Sequence, residues 1–493
     1  MNPESLREYP DSARKHGDSE FRMAGTGSGG ALIVSGPDMA LFDGTEETLT
    51  GKTRKICPLT VENSKVIRKL FDFTNPKSHK GRDVTIGLGD RLGLASAGHI
   101  RLIRDLDVFP VLAQQSIREL YLTGRTYDDV LAAAVWAVFR EGYTKGYGAD
   151  GDHLKTHEEV KYALDCGYSM ITLDCSEHIR NDIAGASRPE IDAQYAQLPA
   201  SVIADLESVY LNNIFHIDGD ITVEFDEHEF RRMALVYLPV IDHTLSIYSE
   251  LIKNAGVDFE VSIDETLATT SPQSHFFVAN ELVKRGVEIA SLAPRFAGEF
   301  QKGIDYRGDP SEFERDFLIH AKIAEKFGYK ISVHSGSDKF SIFPIVNRLT
   351  GGRYHLKTAG TNWLEAVRVI ARRAPPLYRR IHLFAMENLP EAKQYYHTTE
   401  NVVNITDINS VSDAELPEYL EQDDARQVLH ITYGLILQAR ANDGSPLLRD
   451  MIYETLNAHE SDYFAALEKH IGRHLSALGI EMVTVQGPPP NGA

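Results

Sequence analysis

A regular alternation of apolar and amphipathic segments, which begins near residue 84, limits the fold of this chain most strongly. Apolar stretches of strand length are each followed by a segment with helical spacing, which is the pattern of repeated βα units. We predict eight strands: VTIGLG from residue 84, FPVLAQ from 109, GYGADGDHL from 146, MITLDC from 170, FEVSIDE from 259, EIASLAP from 288, KISVHSG from 330 and YHLKTAG from 354. Since eight parallel strands close a TIM barrel, the pattern predicts an α/β protein with a TIM-like (β/α)8 barrel.

The segments between the strands carry helix start and stop signals. THEEVKYALDCG ends at Gly167, and SEFERDFLIHAKIAEKFG has Ser311 as its predicted N-cap and closes at Gly328. Each of these glycines is followed by a predicted strand. This order is typical of βαβ units.

The rest of the chain is predicted to flank or interrupt the barrel. We assign residues 1–80 to an N-terminal extension, 81–390 to the barrel, 391–485 to a mostly helical C-terminal segment and 486–493 to a disordered tail. The stretch from 180 to 257 is too long for one crossover helix, so it is predicted to be an insertion. Within it, FHIDGDITVEFDEHEF predicts a small hairpin, and RRMALVYLPVIDHTLSIYSELIKNAG predicts a long helix.

Composition excludes several classes of partner. The chain has 51 Lys and Arg residues against 71 Asp and Glu residues, a net charge of −20, which disfavours nucleic acids and anionic membrane surfaces. No run of eighteen apolar residues predicts a membrane span, and the charged N-terminus lacks the apolar core of a secretory signal. The three cysteines are too few and scattered for a disulfide framework. We therefore expect a cytoplasmic protein, and a homo-oligomer is compatible with the sequence.

Polar side chains accumulate where the predicted strands end, which is where TIM barrels build their active sites. Three histidines on three strands, His153, His334 and His355, form the predicted metal site. Neutral imidazole ligands favour zinc, manganese, nickel or cobalt over magnesium or calcium. A histidine that only hydrogen-bonds the backbone is the alternative for each one taken alone.

Charged residues at the same strand ends supply the other candidates. Asp152 and Glu265 come from separate strands and are predicted to act as an acid/base pair that takes a proton on one side and returns one on the other. Asp174 either orients a metal-bound histidine or contacts the substrate, and the sequence does not decide between these two roles. An acidic protein needs a local cationic pocket to bind an anion, and the candidates for it are Lys155, Arg295, Lys339 and Lys357.

Two glycine-rich segments resemble nucleotide-binding loops but do not meet their requirements. GTGSGG at residues 25–30 follows no predicted strand and lacks the Gly-Lys-Ser/Thr ending, so it is interpreted as a flexible linker. GLGDRLG, after the first predicted barrel strand, lacks the GxGxxG spacing. Asp90 and Arg91 in that segment are assigned to the barrel mouth.

Five motifs occur together and in order: GYGADGDHLKT, TLDCSEHI, VSIDET, SVHSGSDKFSIFP and YHLKTAGTNWLEA. With them the chain resembles the tagaturonate epimerase family over roughly residues 80–440. The resemblance implies a metal-dependent enzyme on a TIM-like barrel that interconverts D-tagaturonate and D-fructuronate at carbon 4. It implies the same residues for the same roles: Asp152 and Glu265 as acid/base pair, and His153, His334 and His355 as metal ligands.

Carbon 4 of a 2-keto hexuronate is β to the carbonyl, so simple enolisation cannot invert it. A retro-aldol cleavage followed by recondensation can, and we predict this route ahead of direct deprotonation at carbon 4. Two other classes remain open: another metal-dependent TIM-barrel sugar enzyme, either an aldolase or a ketose isomerase, and a non-catalytic sugar-binding protein.

Overall fold

The computed structural model describes residues 7–26, 29–49, 51–265 and 268–480. The strands are, in chain order, β1 (Arg7–Glu8), β2 (Arg14–His16), β3 (Ser19–Thr26), β4 (Gly29–Ser35), β5 (Thr45–Leu49), β6 (Lys52–Pro58), β7 (Val84–Leu88), β8 (Phe109–Ser116), β9 (Gly148–Leu154), β10 (Met170–Asp174), β11 (Ile214–Asp218), β12 (Ile221–Glu224), β13 (Asp258–Ile263), β14 (Ser291–Pro294), β15 (Lys330–Val333) and β16 (Tyr354–Thr358).

The α-helices surround these strands and fill the C-terminal part of the chain. They are α1 (Val61–Leu70), α2 (Ser96–Ile103), α3 (Ile117–Thr123), α4 (Tyr127–Arg140), α5 (His157–Cys166), α6 (Arg188–Tyr195), α7 (Ala200–Tyr210), α8 (Glu227–Ile247), α9 (Pro272–Lys284), α10 (Pro310–Phe327), α11 (Phe343–Thr350), α12 (Thr361–Arg373), α13 (Pro375–Glu387), α14 (Leu389–Ala392), α15 (Asp423–Ile431), α16 (Tyr433–Gln438), α17 (Arg449–Ala458) and α18 (Glu460–Ala477).

The eight predicted strands form a closed parallel barrel, which confirms the predicted fold class. Around the ring the order is β7, β8, β9, β10, β13, β14, β15 and β16, and β16 pairs with β7 to close it. Chain order and ring order therefore agree, apart from the hairpin between β10 and β13. The strands are buried on both faces, as expected when helices cover the outside of a barrel and side chains fill its interior.

Local capping explains where the barrel helices start and stop. Thr156 caps α5 in a capping box with Glu159, and Gly167 ends that helix in the left-handed conformation with φ of 91°. Helix α10 ends at Gly328 as predicted, but its start differs from the prediction. Asp309, and not Ser311, is the N-cap: its side chain accepts a hydrogen bond from the backbone N–H of Ser311, and Pro310 occupies the first helical position.

The insertion at 180–257 contains the predicted hairpin and the predicted long helix. Strands β11 and β12 form a two-stranded antiparallel sheet, and α8 follows it and continues into a π-helical turn at Tyr248–Ile252. Helices α6 and α7, which precede the hairpin, were not predicted. The hairpin packs against α9 and α10 on the outside of the barrel.

The N-terminal extension folds as an antiparallel sheet whose strand order is β1, β3, β4, β6 and β5, with β2 paired to β3. The linker interpretation of GTGSGG is therefore corrected where the segment is described: its two ends belong to β3 and β4, and Thr26 pairs with Gly29. Phe21 and Phe71 of this region stack edge to face with centroids 5.1 Å apart, and Phe71 packs on Phe139 of α4. These contacts fix the sheet to the side of the barrel.

The C-terminal helices pack across α2 and α12. Trp363 of α12 is fully buried and donates a hydrogen bond from Nε1 to the carbonyl oxygen of Leu429, 2.8 Å away. The predicted tail at 486–493 lies outside the described residues. None of the helices that the structure describes has both the length and the apolar composition needed to cross a membrane. The three cysteines are buried and unpaired.

Candidate active site

A cavity of about 370 Å³ opens at the C-terminal ends of the barrel strands. This is the end at which TIM barrels place their chemistry. Six of the residues predicted from the sequence line it: Asp152, His153, Glu265, Arg295, His334 and Lys357. No residue of the 180–257 insertion does. Arg91 also lines the cavity, in agreement with its assignment to the barrel mouth.

Three possible metal ligands converge at this cavity: His153, Asp264 and His334. One ligand atom from each lies within 4.8 Å of the other two. His153 belongs to β9, Asp264 directly follows β13, and His334 directly follows β15. Two imidazoles and one carboxylate form a set that suits zinc and the neighbouring divalent transition metals, and they leave coordination positions open for a substrate.

Carboxylates behind the two histidines orient their rings. Nδ1 of His153 lies 2.8 Å from Oδ1 of Asp152, and Nε2 of His334 lies 2.7 Å from Oε1 of Glu260. This leaves Nε2 of His153 and Nδ1 of His334 as the nitrogens able to bind a cation, and a carboxylate behind each histidine is the usual arrangement at metal sites. Nδ1 of His334 is buried, has no hydrogen-bond partner and lies 3.1 Å from Oδ2 of Asp264. The residues present therefore fit a divalent cation.

The backbone at two of these strand ends is held in an uncommon conformation. His153 has φ of 54°, and Ser335, next to His334, has φ of 49°. Residues other than glycine rarely occupy this left-handed region, and such strain concentrates at functional sites. The strain is consistent with selection for the position of the ligands rather than for stability.

Lys357 is the centre of the charge network below the ligands. Its Nζ lies 2.6 Å from Oδ1 of Asp152, 2.8 Å from Oε1 of Glu260 and 2.9 Å from Oδ2 of Asp150, and it donates a hydrogen bond to Oγ1 of Thr172 at 2.6 Å. These partners come from β9, β13 and β10, while Lys357 itself is on β16. One buried ammonium thus connects four barrel strands.

Burial and the charges around Lys357 shift the pKa values of the buried carboxyl groups and of His334 in opposite directions. Burial would raise the pKa of Asp152, but Lys357 and His153 hold it well below its usual range, and Lys357 and His334 do the same for the pKa of Glu260. Burial dominates at Asp150 and raises its pKa to about 6. Burial favours neutral His334, but Asp264 and Glu260 raise the pKa of His334 to about 10.

The structure does not bring His355 together with His153 and His334, so its assignment as a metal ligand stays a prediction. His355 lies near the start of β16, where Nδ1 is 2.7 Å from Oγ1 of Thr85 and the ring stacks on His79 at 6.0 Å. Depth along the strand is the physical reason, because only the C-terminal end of a strand reaches the cavity. Asp264 stands where a third histidine was predicted.

Three other predicted substrate contacts lie outside the cavity lining. Asp174 accepts a hydrogen bond from the backbone N–H of Ser176, and Lys155 is bound to Glu177 at 3.0 Å and lies 3.6 Å from Asp174. Lys339 is buried, and its ammonium donates to three backbone carbonyls, those of Gln301, Ile304 and Ser337. Lys155 and Asp174 form a rim ion pair, and Lys339 holds two loops together.

A second group of possible ligands, Asp338, His470 and His474, takes part in hydrogen bonds that join helices to a loop. The backbone N–H of Asp338 donates to Nε2 of His474 at 2.9 Å, and Nδ1 of His474 lies 2.9 Å from the carbonyl oxygen of His470. Arg426 binds the Asp338 carboxylate at 2.7 Å. This cluster joins α15 and α18 to the loop that follows His334.

Three further cavity residues were not singled out from the sequence. Arg118 lies in the first turn of α3, Lys302 lies in the loop after β14, and His430 comes from α15. The position of Arg118 two residues after a barrel strand was a signal that sequence reasoning could have used. Lys302 and His430 lie in segments without strand periodicity, so the sequence offered no comparable signal for them.

Comparisons with known proteins relate the whole chain to one family. A family model described as UxaE, tagaturonate epimerase, matches residues 9–478. A curated protein named tagaturonate/fructuronate epimerase, from Thermotoga maritima, is 39% identical over 476 residues, which cover 95% of this chain and 96% of that protein. The crystal structure of fructuronate-tagaturonate epimerase UxaE from Cohnella laeviribosi is 50% identical, covers 97% of each chain and superimposes with a TM-score of 0.93; a glycerol complex of that enzyme gives 0.94.

The ligand set predicts how substitutions change metal affinity. Asp264→Asn should weaken zinc binding by about 100-fold, because it removes an anionic ligand. His355→Gln should leave zinc affinity within about threefold of the wild-type value, because His355 lies outside the ligand cluster. Zinc dissociation constants from titration against a competing chelator measure both. Equal losses in the two variants would restore His355 as a ligand.

The Lys357 network predicts a stability effect that depends on pH. Lys357→Met should lower the free energy of unfolding by about 3–5 kcal/mol, because it leaves three buried carboxylates without their cation. The loss should be larger at pH 8 than at pH 5, since unpaired buried carboxylates have raised pKa values and must be charged at high pH. Urea unfolding at both pH values measures the difference.

The control for this measurement is Lys322→Met, which removes a partly exposed lysine bound to Glu325 and Asp218 and should cost less than about 1 kcal/mol. A loss in Lys357→Met no larger than in this control would show that the network does not stabilise the barrel.

Proposed function

The chain belongs to the tagaturonate epimerase family and is an isomerase that epimerises a carbohydrate, and from this premise we propose that it converts D-tagaturonate to D-fructuronate by inverting carbon 4. One observation carries the proposal beyond the comparisons. The cavity places two carboxylates, Asp152 and Glu265, beside the cluster of His153, Asp264 and His334. A reaction that moves protons at a polarised sugar oxygen needs both elements.

The chemistry of carbon 4 limits the route. Removal of the proton from the C4 hydroxyl lets its oxygen form a carbonyl while the C3–C4 bond breaks, and the electron pair of that bond becomes the C2–C3 double bond of an enediolate. The products are the enediolate of dihydroxyacetone and tartronate semialdehyde. Rotation of the aldehyde exposes its other face, and recondensation forms the C3–C4 bond with inverted configuration at carbon 4.

We propose that His153, Asp264 and His334 hold a divalent cation, with zinc, manganese, nickel and cobalt as the candidates. When bound, the cation would supply Lewis acidity that draws electron density from the carbonyl and hydroxyl oxygens of the substrate. Asp152 and Glu260 orient the two imidazoles through the hydrogen bonds described above. The protein thus prepares the ligand geometry before substrate enters.

The surroundings of the two carboxylates favour different roles in the proposed forward reaction. Asp152 is buried and held as an anion by Lys357, so it is the group that accepts the C4 hydroxyl proton. Glu265 is exposed at the mouth, where it can exchange protons with water, and it returns a proton to the C4 oxygen after recondensation. In the reverse reaction the two roles are exchanged.

Proton NMR of the metal-loaded enzyme with D-tagaturonate in D₂O tests the reaction and the route together. We expect D-fructuronate with its C4 hydrogen retained, because that hydrogen stays on the aldehyde carbon during cleavage. Deuterium at carbon 4 would replace the retro-aldol route by direct proton exchange. Accumulation of the two fragments would indicate an aldolase, and no product with any of the four metals would overturn the proposed function.

The acid/base assignment predicts separate kinetic effects for the two carboxylates. Glu265→Gln should lower kcat by about 10²–10⁴-fold and leave zinc affinity unchanged, because the side chain handles a proton but binds no ligand. Asp152→Asn should lower kcat and also weaken zinc binding by about 10–100-fold, because Asp152 orients His153.

Steady-state kinetics and zinc titration provide these values. Glu177→Gln, an exposed carboxylate bound to Lys155, is the matched control and should keep kcat within about twofold. A Glu265→Gln enzyme with more than about one tenth of the wild-type kcat would remove Glu265 from the mechanism.

A further inference from the structure

The charges of the cations around the cavity are compensated to different degrees. Arg91 makes two hydrogen bonds to Oε1 of Glu119, at 3.0 and 2.9 Å, and its guanidinium lies 3.7 Å from the centre of the Tyr433 ring. Lys357 is surrounded by the three carboxylates described above. These two cations already have partners, and neither needs an anion from outside the protein.

Lys302 and Arg118 differ from them. Nζ of Lys302 donates one hydrogen bond, to Oγ of Ser335 at 2.9 Å, and a guanidinium nitrogen of Arg118 lies 3.4 Å from the carbonyl oxygen of Tyr395. Across the residues that the structure describes, neither cation has a carboxylate within ion-pair distance. Two neighbouring cations in a partly buried cavity repel each other unless an anion lies between them.

The protein nevertheless holds both cations in place. Arg118 lies over the ring of Tyr396, 4.9 Å from its centre, so a cation–π contact restricts the guanidinium. The hydrogen bond from Lys302 to Ser335 places its ammonium beside His334, which precedes Ser335 in the chain. Burial and the nearby Arg118 lower the pKa of Lys302.

His430 adds an independent sign of a missing ligand. Its side chain is 1% exposed, it lines the cavity, and neither ring nitrogen has a hydrogen-bond partner. A Cβ on Gly360 would lie 2.1 Å from the ring, so glycine at this position makes room for the imidazole. Burial and the neighbouring cations hold the pKa of His430 well below its usual range, so the neutral ring has one N–H to donate.

We propose that Lys302 and Arg118, with His430 as a neutral donor, bind the carboxylate of the substrate. This inference rests on the proposed function, since a 2-keto hexuronate carries one anionic group and the metal cluster and acid/base pair act on its uncharged carbonyl and hydroxyl groups. The two cations balance that charge, and an arginine fork suits a carboxylate. The subsite replaces Lys155 and Lys339 of the sequence prediction.

The subsite also has a consequence for the reaction. After cleavage the carboxylate belongs to tartronate semialdehyde, the fragment that must rotate without leaving the cavity. A carboxylate anchored by Lys302 and Arg118 lets the aldehyde carbon turn while the fragment stays bound. Weaker anchoring should therefore release fragment as well as weaken substrate binding.

Binding of D-tagaturonate to the zinc-loaded enzyme, measured by isothermal titration calorimetry, tests the subsite. Lys302→Met should raise the Kd by at least about 30-fold, and Lys302→Glu by at least a further tenfold because it repels the carboxylate. Lys302→Arg should restore affinity to within about tenfold of wild type. Lys322→Met, which changes a partly exposed lysine on α10, is the matched control and should leave the Kd within about twofold.

Zinc affinity of each variant is measured in parallel and should stay within about threefold of wild type. The subsite is overturned if Lys302→Met binds D-tagaturonate as wild type does, if Lys302→Glu binds no more weakly than Lys302→Met, or if zinc affinity falls together with substrate affinity. Arg118→Met, with an expected loss of at least about tenfold, replaces Lys302→Met should that variant not fold.

Measurements on the wild-type enzyme distinguish a failure of the proposed subsite from a failure of the proposed function. Wild-type epimerisation with unchanged binding in the Lys302 variants would overturn the subsite and leave the proposed function intact. Wild-type binding without epimerisation, combined with weak binding by Lys302→Met, would support the subsite and overturn the proposed function. A wild-type enzyme that binds no hexuronate would overturn both.

Discussion

The buried Lys357 ammonium is the interaction on which the site depends. Asp150, Asp152 and Glu260 lie in the centre of the barrel, where three carboxylates could not remain charged without a cation between them. Because Lys357 holds Asp152 and Glu260 as anions, both can accept hydrogen bonds from the imidazoles of His153 and His334. The orientation of the proposed metal ligands thus follows from a charge balance set below them.

The C-terminal helices also hold part of the candidate active site in place. The loop after His334 contains Ser335 and Asp338, both at positive φ, and such a loop keeps its shape only when its surroundings hold it. Lys339 fixes it from inside through backbone carbonyls, while Arg426 and His474 bind Asp338 from α15 and α18. The segment beyond the barrel therefore supports the loop that carries a ligand, and it also supplies His430 to the cavity.

Periodicity explains what could be predicted from the sequence. All eight barrel strands were found because segments of strand length alternate with segments of helical spacing, and Asp152, His153 and His334 lie in the cavity because strand ends converge there. The pattern does not fix how deep a residue lies in the barrel, and the structure places His355 outside the cavity lining. Residues brought in by irregular loops and distant helices, such as Lys302 and His430, have no periodic signal and required the structure.

The distribution of charge in the cavity determines both how the substrate binds and which of its groups face the acids. A chain with a net charge of −20 repels an anionic substrate at long range, so attraction must come from cations that are concentrated in the cavity. The proposed subsite provides them at Lys302 and Arg118, whereas the interior offers acids grouped around Lys357. A hexuronate placed with its carboxylate on the two cations then extends its uncharged hydroxyl and carbonyl groups toward Asp152 and the ligand cluster. The two cations and the ligand cluster thereby orient the substrate before any bond is broken.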